Sequence, residues 1–91
     1  MQFEFDIAKN KSNLEKHGID FEEAEAMWED PYLLDAALSY GGERRRVAIA
    51  RLADGIWTAI YTHRGDRIRL ISVRRATSKE VSLYDRAFND R

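Results

Sequence analysis

Cysteine is absent from this 91-residue chain, so neither a disulfide framework nor thiolate chemistry is available to it. No apolar run approaches the roughly 18 residues needed to cross a bilayer. The opening MQFEFD is no signal peptide. No membrane role is expected, and the cytoplasm is the expected compartment. A glycine-rich phosphate loop is also missing. The two histidines, His17 and His63, lie far apart, with no Asp/Glu partners at ligand spacing. Neither a metal nor another cofactor is expected. Repeats, linkers and low-complexity stretches are lacking, so residues 1–91 read as a single domain.

What is present is a core-forming composition with segregated charge. Hydrophobic residues make up 44% and aromatics 11%, which argues against disorder despite 34% charged residues. A chain this short buries a thin core. The net charge of −1 conceals two opposite halves. Residues 1–42 carry 3 Lys and 10 Asp/Glu, a balance of −7, and residues 43–91 carry 12 Lys/Arg and 6 Asp/Glu, a balance of +6. Eleven of the twelve later cations are arginine. Arginine offers a planar fork of donors that suits phosphate oxygens. The asymmetry points to a polyanion or an acidic surface as partner, against the plainer reading of a solvated mixed-charge face.

Local patterns predict the elements. Gln2 to Phe5 alternates as a short strand. Asp6 is placed to cap a helix through about His17, which Gly18 can close in the left-handed conformation. Asp20 with Glu23 resembles a capping box, opening a second helix whose stripe is Phe21, Ala24, Met27 and Trp28. The lone proline, in Asp30-Pro31, stops it. Residues 32–42 are ambiguous; Tyr32 to Leu34 can form a short strand, and Gly41-Gly42 reads as a loop. Arg44–Leu52, Ile56–His63 and Arg67–Val73 read as strands joined by turns at Ala53-Asp54-Gly55 and Arg64-Gly65-Asp66. Thr77 and Glu80 form a second capping box, and a last helix with a stripe of Val81, Tyr84 and Phe88 runs to about Phe88. The order β-α-α-β-β-β-α predicts an α+β fold, a small antiparallel sheet with two N-terminal helices on one face and a C-terminal helix over an edge or the other face.

If the chain is an enzyme, no metal is expected in it, and metal-free cleavage of RNA needs only a few groups. RNA supplies its own nucleophile, the ribose 2′-hydroxyl. The protein must orient the backbone, offset charge on the phosphate and move two protons. Alternation sends Arg67 and Arg69 to one face of their strand. Arg69 and Arg74 are the leading phosphate binders, with Arg45, Arg64 and Arg75 as further RNA contacts. His17 ends a helix, where the dipole favours an imidazolium by ~0.3–1 kcal/mol; a plain C-terminal cap is its other reading, and Lys16 stands beside it. Glu80 is either a capping residue or a base facing the arginines. Tyr84 is either core or a hydroxyl that reaches the site.

Lys16-His17-Gly18-Ile19-Asp20-Phe21-Glu22-Glu23-Ala24 resembles the KHG-hydrophobic-x-FEEA segment of the BrnT toxin family. Further similarity follows in order: FEFD with Lys9 and Asn13, Gly42-Glu43-x-Arg45, Tyr61-Thr62-x-Arg64-Gly65, Ile68-Arg69-x-Ile71-Ser72, Arg74/Arg75-Ala76-Thr77, Glu80 and Tyr84. Ala50, where the family pattern has glycine, and His63, at a variable position, depart from it. The resemblance implies a RelE-like ribonuclease of a type II toxin–antitoxin pair. It also implies a ribbon-helix-helix partner of the BrnA kind, through which operator DNA would be reached. In the RelE fold a tyrosine near the C-terminus often lines the site, which bears on Tyr84. A non-catalytic nucleic-acid or protein-binding module, and a degenerate toxin serving as corepressor with its antitoxin, stay open beside it.

Overall fold

The computed structural model describes residues 1–40, 43–53 and 55–90. The Gly41-Gly42 loop, and Asp54 of the first predicted turn, lie outside the described residues. The elements are β1 (Gln2–Glu4), α1 (Ile7–His17), α2 (Phe21–Ala24) continued by a 3-10 helix (Glu25–Glu29), β2 (Leu34–Tyr40), β3 (Glu43–Leu52), β4 (Gly55–Arg64), β5 (Arg67–Arg75) and α3 (Ser78–Asn89). Helix ends follow their capping chemistry. The Asp6 side chain accepts from the Lys9 amide, and Gly18 closes α1 at φ 74 with its N–H on Leu14 O. Asp20/Glu23 and Thr77/Glu80 both make full capping boxes. Gly65 takes φ 62 in the turn between β4 and β5, a conformation open to glycine at no steric cost.

Two expectations are corrected. The sheet has five strands, in the order β1-β5-β4-β3-β2, because residues 34–40 form a full strand rather than a three-residue fragment. It is mixed rather than antiparallel, since β1 pairs with β5 in parallel, Gln2 beside Arg67 and Glu4 beside Arg69. β2 was obscure because it is an outer strand whose Asp35, Ala36 and Ala37 are exposed, so burial imposes no clear alternation. The second helix also tightens into 3-10 geometry after Ala24. Along α3, Tyr84 is 1% exposed, whereas Phe88 is 44% exposed.

The core joins Ile19, Phe21, Ala24 and Met27 to Ala48, Ala50, Trp57, Ala59, Tyr61, Ile68, Leu70 and Val73 of the sheet. Burying one such large side chain is worth about 1.5–3 kcal/mol. Trp28 sits edge-on between Phe3 and Tyr61, with ring centroids 5.3 and 5.2 Å away. Strand alternation turns Thr58 away from its buried neighbours Trp57 and Ala59. There it donates to Glu80 at 3.0 Å, which places α3 against the sheet face opposite this core.

Candidate active site

A single extra residue in β5 decides where its arginines point. Arg69 faces Thr62 and Leu70 faces Tyr61, but Ser72 then faces Ile60, so Ile71 is the inserted residue of a β-bulge. Strict alternation from Arg69 would send Arg74, five residues on, to the opposite face. The bulge restores it. Leu70 and Val73 both point into the helix-side core, and Arg69, Ser72 and Arg74 share the other face. Arg75 goes to the helix side, where its guanidinium lies 4.5 Å over the Trp57 ring. A side chain at Gly55 would collide with it.

Asn13 of α1 holds the bulge. Its Nδ2 donates to Val73 O at 2.8 Å and to Ile19 O at 2.9 Å, while its Oδ1 accepts from the Val73 N–H at 3.0 Å. The side chain is 6% exposed and replaces a strand partner where β1 has already ended. α1 therefore runs beside the outer edge of β5. A cleft of about 210 Å³ opens between them, lined by Lys9, Ser12, Lys16 and His17 on α1 and Ile71 and Ser72 on β5. Lys9, Ser12 and Ser72 were not singled out as site residues from the sequence. The spacing of Lys9, Ser12 and Lys16, at i, i+3 and i+7, is the signal that puts them on one helical stripe.

Arg74 is gripped by Glu80. Nη1 donates to Oε1 at 2.7 Å and Nη2 to Oε2 at 3.0 Å. The Thr77 amide and the Thr58 hydroxyl donate to the same carboxylate, at 2.8 and 3.0 Å. Hydrogen bonds from Arg74 foremost, then from Thr77 and Thr58, outweigh burial and bring the Glu80 carboxyl down to about 2. Two guanidine N–H bonds are spent on Glu80, out of the five that arginine carries. Glu4 is shared by Arg69 at 3.5 Å and Arg64 at 3.8 Å, one carboxylate for two cations. Arg45, next to Arg46 on β3, points by alternation to the Arg69 side, since Arg46 pairs with Tyr61 of the helix-side core.

Tyr84 stands apart from this group. Its hydroxyl donates to Asp30 at 2.6 Å, and burial, reinforced by that carboxylate, pushes it up to about 12. Burial also works against the Asp30 carboxylate, but bonds from Tyr84 and from the Arg51 and Tyr32 amides prevail and hold it below the usual range. Tyr84 and Asp30 thus tie α3 to β3 and to the end of the 3-10 helix. The structure brings Arg45, Arg64, Arg69 and Arg74 to one sheet face, with Lys16 and His17 across the β5 edge. Arg75 lies on the other face, and Tyr84 lies beneath α3.

Among the described residues no group of three or more His, Asp or Glu side chains is arranged to hold a metal ion. No helix is long and apolar enough to cross a membrane. A family model described as a ribonuclease toxin, BrnT, of type II toxin–antitoxin systems matches residues 5–80. No curated protein matches the chain.

Proposed function

This chain belongs to the BrnT family of type II toxin–antitoxin ribonuclease toxins, and we propose that it cuts RNA by metal-free transesterification at the edge of β5. Family membership carries with it an RNA target and an antitoxin partner. The observation that supports the finer reading is the row Arg69–Ser72–Arg74, aligned by the bulge and opening onto the Lys9–Lys16–His17 cleft.

RNA lies across the part of this sheet face that α3 leaves uncovered, its phosphates met by Arg45, Arg64 and Arg69. The scissile phosphate sits at Ser72. There Arg74 and Lys16 offset the charge that grows as the 2′-oxygen attacks phosphorus and the bond to the 5′-oxygen breaks. His17 moves the protons, since imidazole is the side chain suited to proton transfer near neutrality. Glu80, at about 2, is far too weak a base for this at neutral pH. Its role is to hold the Arg74 fork square to the sheet. Tyr84 braces α3 through Asp30, and Arg75 secures the end of β5 on Trp57. The fold is read as RelE-like, and the physiological outcome as arrested translation in the cytoplasm. A ribbon-helix-helix antitoxin of the BrnA kind relieves it and carries the pair to operator DNA.

Incubating purified protein with RNA in excess EDTA tests the mechanism. Cleavage should persist, and products should carry 2′,3′-cyclic or 3′-phosphate and 5′-hydroxyl ends. Activity lost on chelation and restored by magnesium would overturn it.

A further inference from the structure

β2 is an outer strand of the sheet, paired with β3 from Leu34 to Tyr40 and with no other strand among the described residues. An open edge offers its N–H and C=O groups to any extended chain, and proteins usually blunt it with proline, lysine, a bulge or a cover. β2, with the sequence LDAALSY, has no proline, no lysine and an unbroken register. Its middle residues Asp35, Ala36 and Ala37 are exposed. The one charge it carries is occupied, since Asp35 takes Arg46 at 3.2 Å and the Tyr61 hydroxyl at 2.9 Å. The other side of the sheet is handled differently, Asn13 meeting β5 where β1 stops.

A cleft of about 510 Å³ begins at this bare edge. Ala37 and Leu38 of β2 form its rim, and it crosses Arg44, Arg45 and Arg46 of β3 to Thr62 and His63 of β4. Asp35 offsets Arg46, but no carboxylate is paired with Arg44 among the described residues. We propose that the outer edge of β2 and the Arg44 cleft dock an extended acidic segment of a partner protein, which adds to the sheet as a sixth strand and turns carboxylates toward Arg44. Main-chain pairing supplies affinity in this mode and the flanking charge supplies selectivity. A second copy fits less well: its β2 brings a single carboxylate already committed to Arg46, and it sets two cationic clefts side by side. RNA would use the cleft but leave the backbone edge unpaired. In the type II pair the antitoxin is the natural source of such a segment, although the docking itself does not depend on RNA cleavage. At ~4.8 Å per strand, β2 lies about 14 Å from β5, so the segment docks clear of the His17 cleft.

The probe is a nine-residue peptide alternating valine and glutamate, with an alternating valine–lysine peptide as control. Binding is read by fluorescence anisotropy and by amide hydrogen exchange. The glutamate peptide should bind and slow exchange at alternate amides of Leu34–Tyr40, and the lysine peptide should not. Arg44→Glu should weaken binding at least tenfold while RNA cleavage is unchanged. Of Ala36→Pro and Ala37→Pro, one removes an N–H on the open side; that variant should melt like the parent yet lose the peptide. If both unfold, the exchange pattern and Arg44→Glu decide. Absent binding, binding without protection of β2, or equal binding of the lysine peptide overturns the proposal. A dimer that forms through β2 without peptide assigns the edge to a second copy, and β2 protection by an RNA oligonucleotide assigns it to RNA. Either result also overturns it. Cleavage is read separately, so failure here leaves the ribonuclease reading standing.

Discussion

Replacing Glu80 by glutamine removes one charge and the oxygen that accepts from Arg74 Nη2, while the remaining oxygen can still accept from the Thr77 amide in the capping box. The carboxyl moves from 4.5 to about 2 on folding, with the Arg74 bond as the leading cause. At 1.36 kcal/mol per unit, that shift of about 2.5 corresponds to an upper limit of about 3.4 kcal/mol. The Arg74 side chain is 35% exposed and that of Glu80 19%, so solvent screens the pair. A discounted value of about 1.5 kcal/mol is expected. For a domain of this size it lowers Tm by about 6–12 °C at pH 7. The folded-state value lies below the unfolded one, so the stabilisation is full above about 4.5 and drains away as the pH falls through about 2. Thermal melts of the wild type and Glu80→Gln should therefore draw together as the pH falls from 7 to 2.5, with roughly a quarter of the gap left at the acid end. Equal melting at pH 7 would refute the ion pair as a source of stability. A gap that persists unchanged at pH 2.5 would show that packing or capping, not charge, was lost.

Asn13→Ala removes three hydrogen bonds and leaves the buried Val73 N–H unpaired, so chemical denaturation should show a loss of about 3 kcal/mol. Tyr84→Phe gives up the bond to Asp30 and should cost about 1.5–2 kcal/mol, the range for a bond to a charged group. Its single-turnover cleavage rate should stay within threefold of the parent; a large rate loss with normal RNA affinity would put Tyr84 at the reacting atoms. His17→Ala should cut the cleavage rate by about 100-fold or more while RNA affinity changes little, the usual size of a proton-transfer contribution. Arg69→Lys keeps the charge but loses the fork: a rate like wild type would mean that Arg69 is electrostatic floor and not a bidentate phosphate ligand.

Local chemistry made the helices legible. Asp6, Gly18, Asp20/Glu23 and Thr77/Glu80 each satisfy a backbone group within a few residues of themselves, so sequence spacing suffices to read them. The sheet was legible where a hydrophobic face recurs, as in β3 to β5, and failed at its margins. β1 is three residues long, too short for any periodicity to name its neighbour, and its parallel pairing joins opposite ends of the chain. The harder case is Arg67 to Arg75. RIRLISVRR breaks its alternation at Leu70-Ile71, but a central strand with apolar residues on both faces reads the same way, so the break alone does not mark Ile71 as extra. The bulge is stabilised from 60 residues away by Asn13, so the face taken by Arg74 is a tertiary property. Glu80 illustrates the same limit. Capping residue and base facing the arginines stood as alternatives; the carboxylate makes the cap and also grips Arg74, because the cap itself points the side chain at that arginine.

The charge segregation also takes on a different meaning in three dimensions. The acidic first half does not form a surface apart from the basic second half. Glu4 lies between Arg64 and Arg69, Asp35 holds Arg46, and Asp30 receives the Arg51 amide and the Tyr84 hydroxyl. Three acids of the N-terminal half thus act as fixed partners of the basic strands. A balance of +6 for residues 43–91 therefore overstates the field that a polyanion meets. What the arrangement supplies instead is orientation. An arginine tethered through part of its fork loses less freedom on meeting a phosphate than one free to rotate, and preorganised donors lower the cost of stabilising developing charge. Arg74 is the most firmly held of these arginines, and it shares a strand face with Ser72 at the mouth of the Lys16–His17 cleft. On the mechanism proposed above, the reacting phosphate therefore belongs at β5, where the fold has fixed a cation in advance, rather than at the more exposed arginines of the basic half.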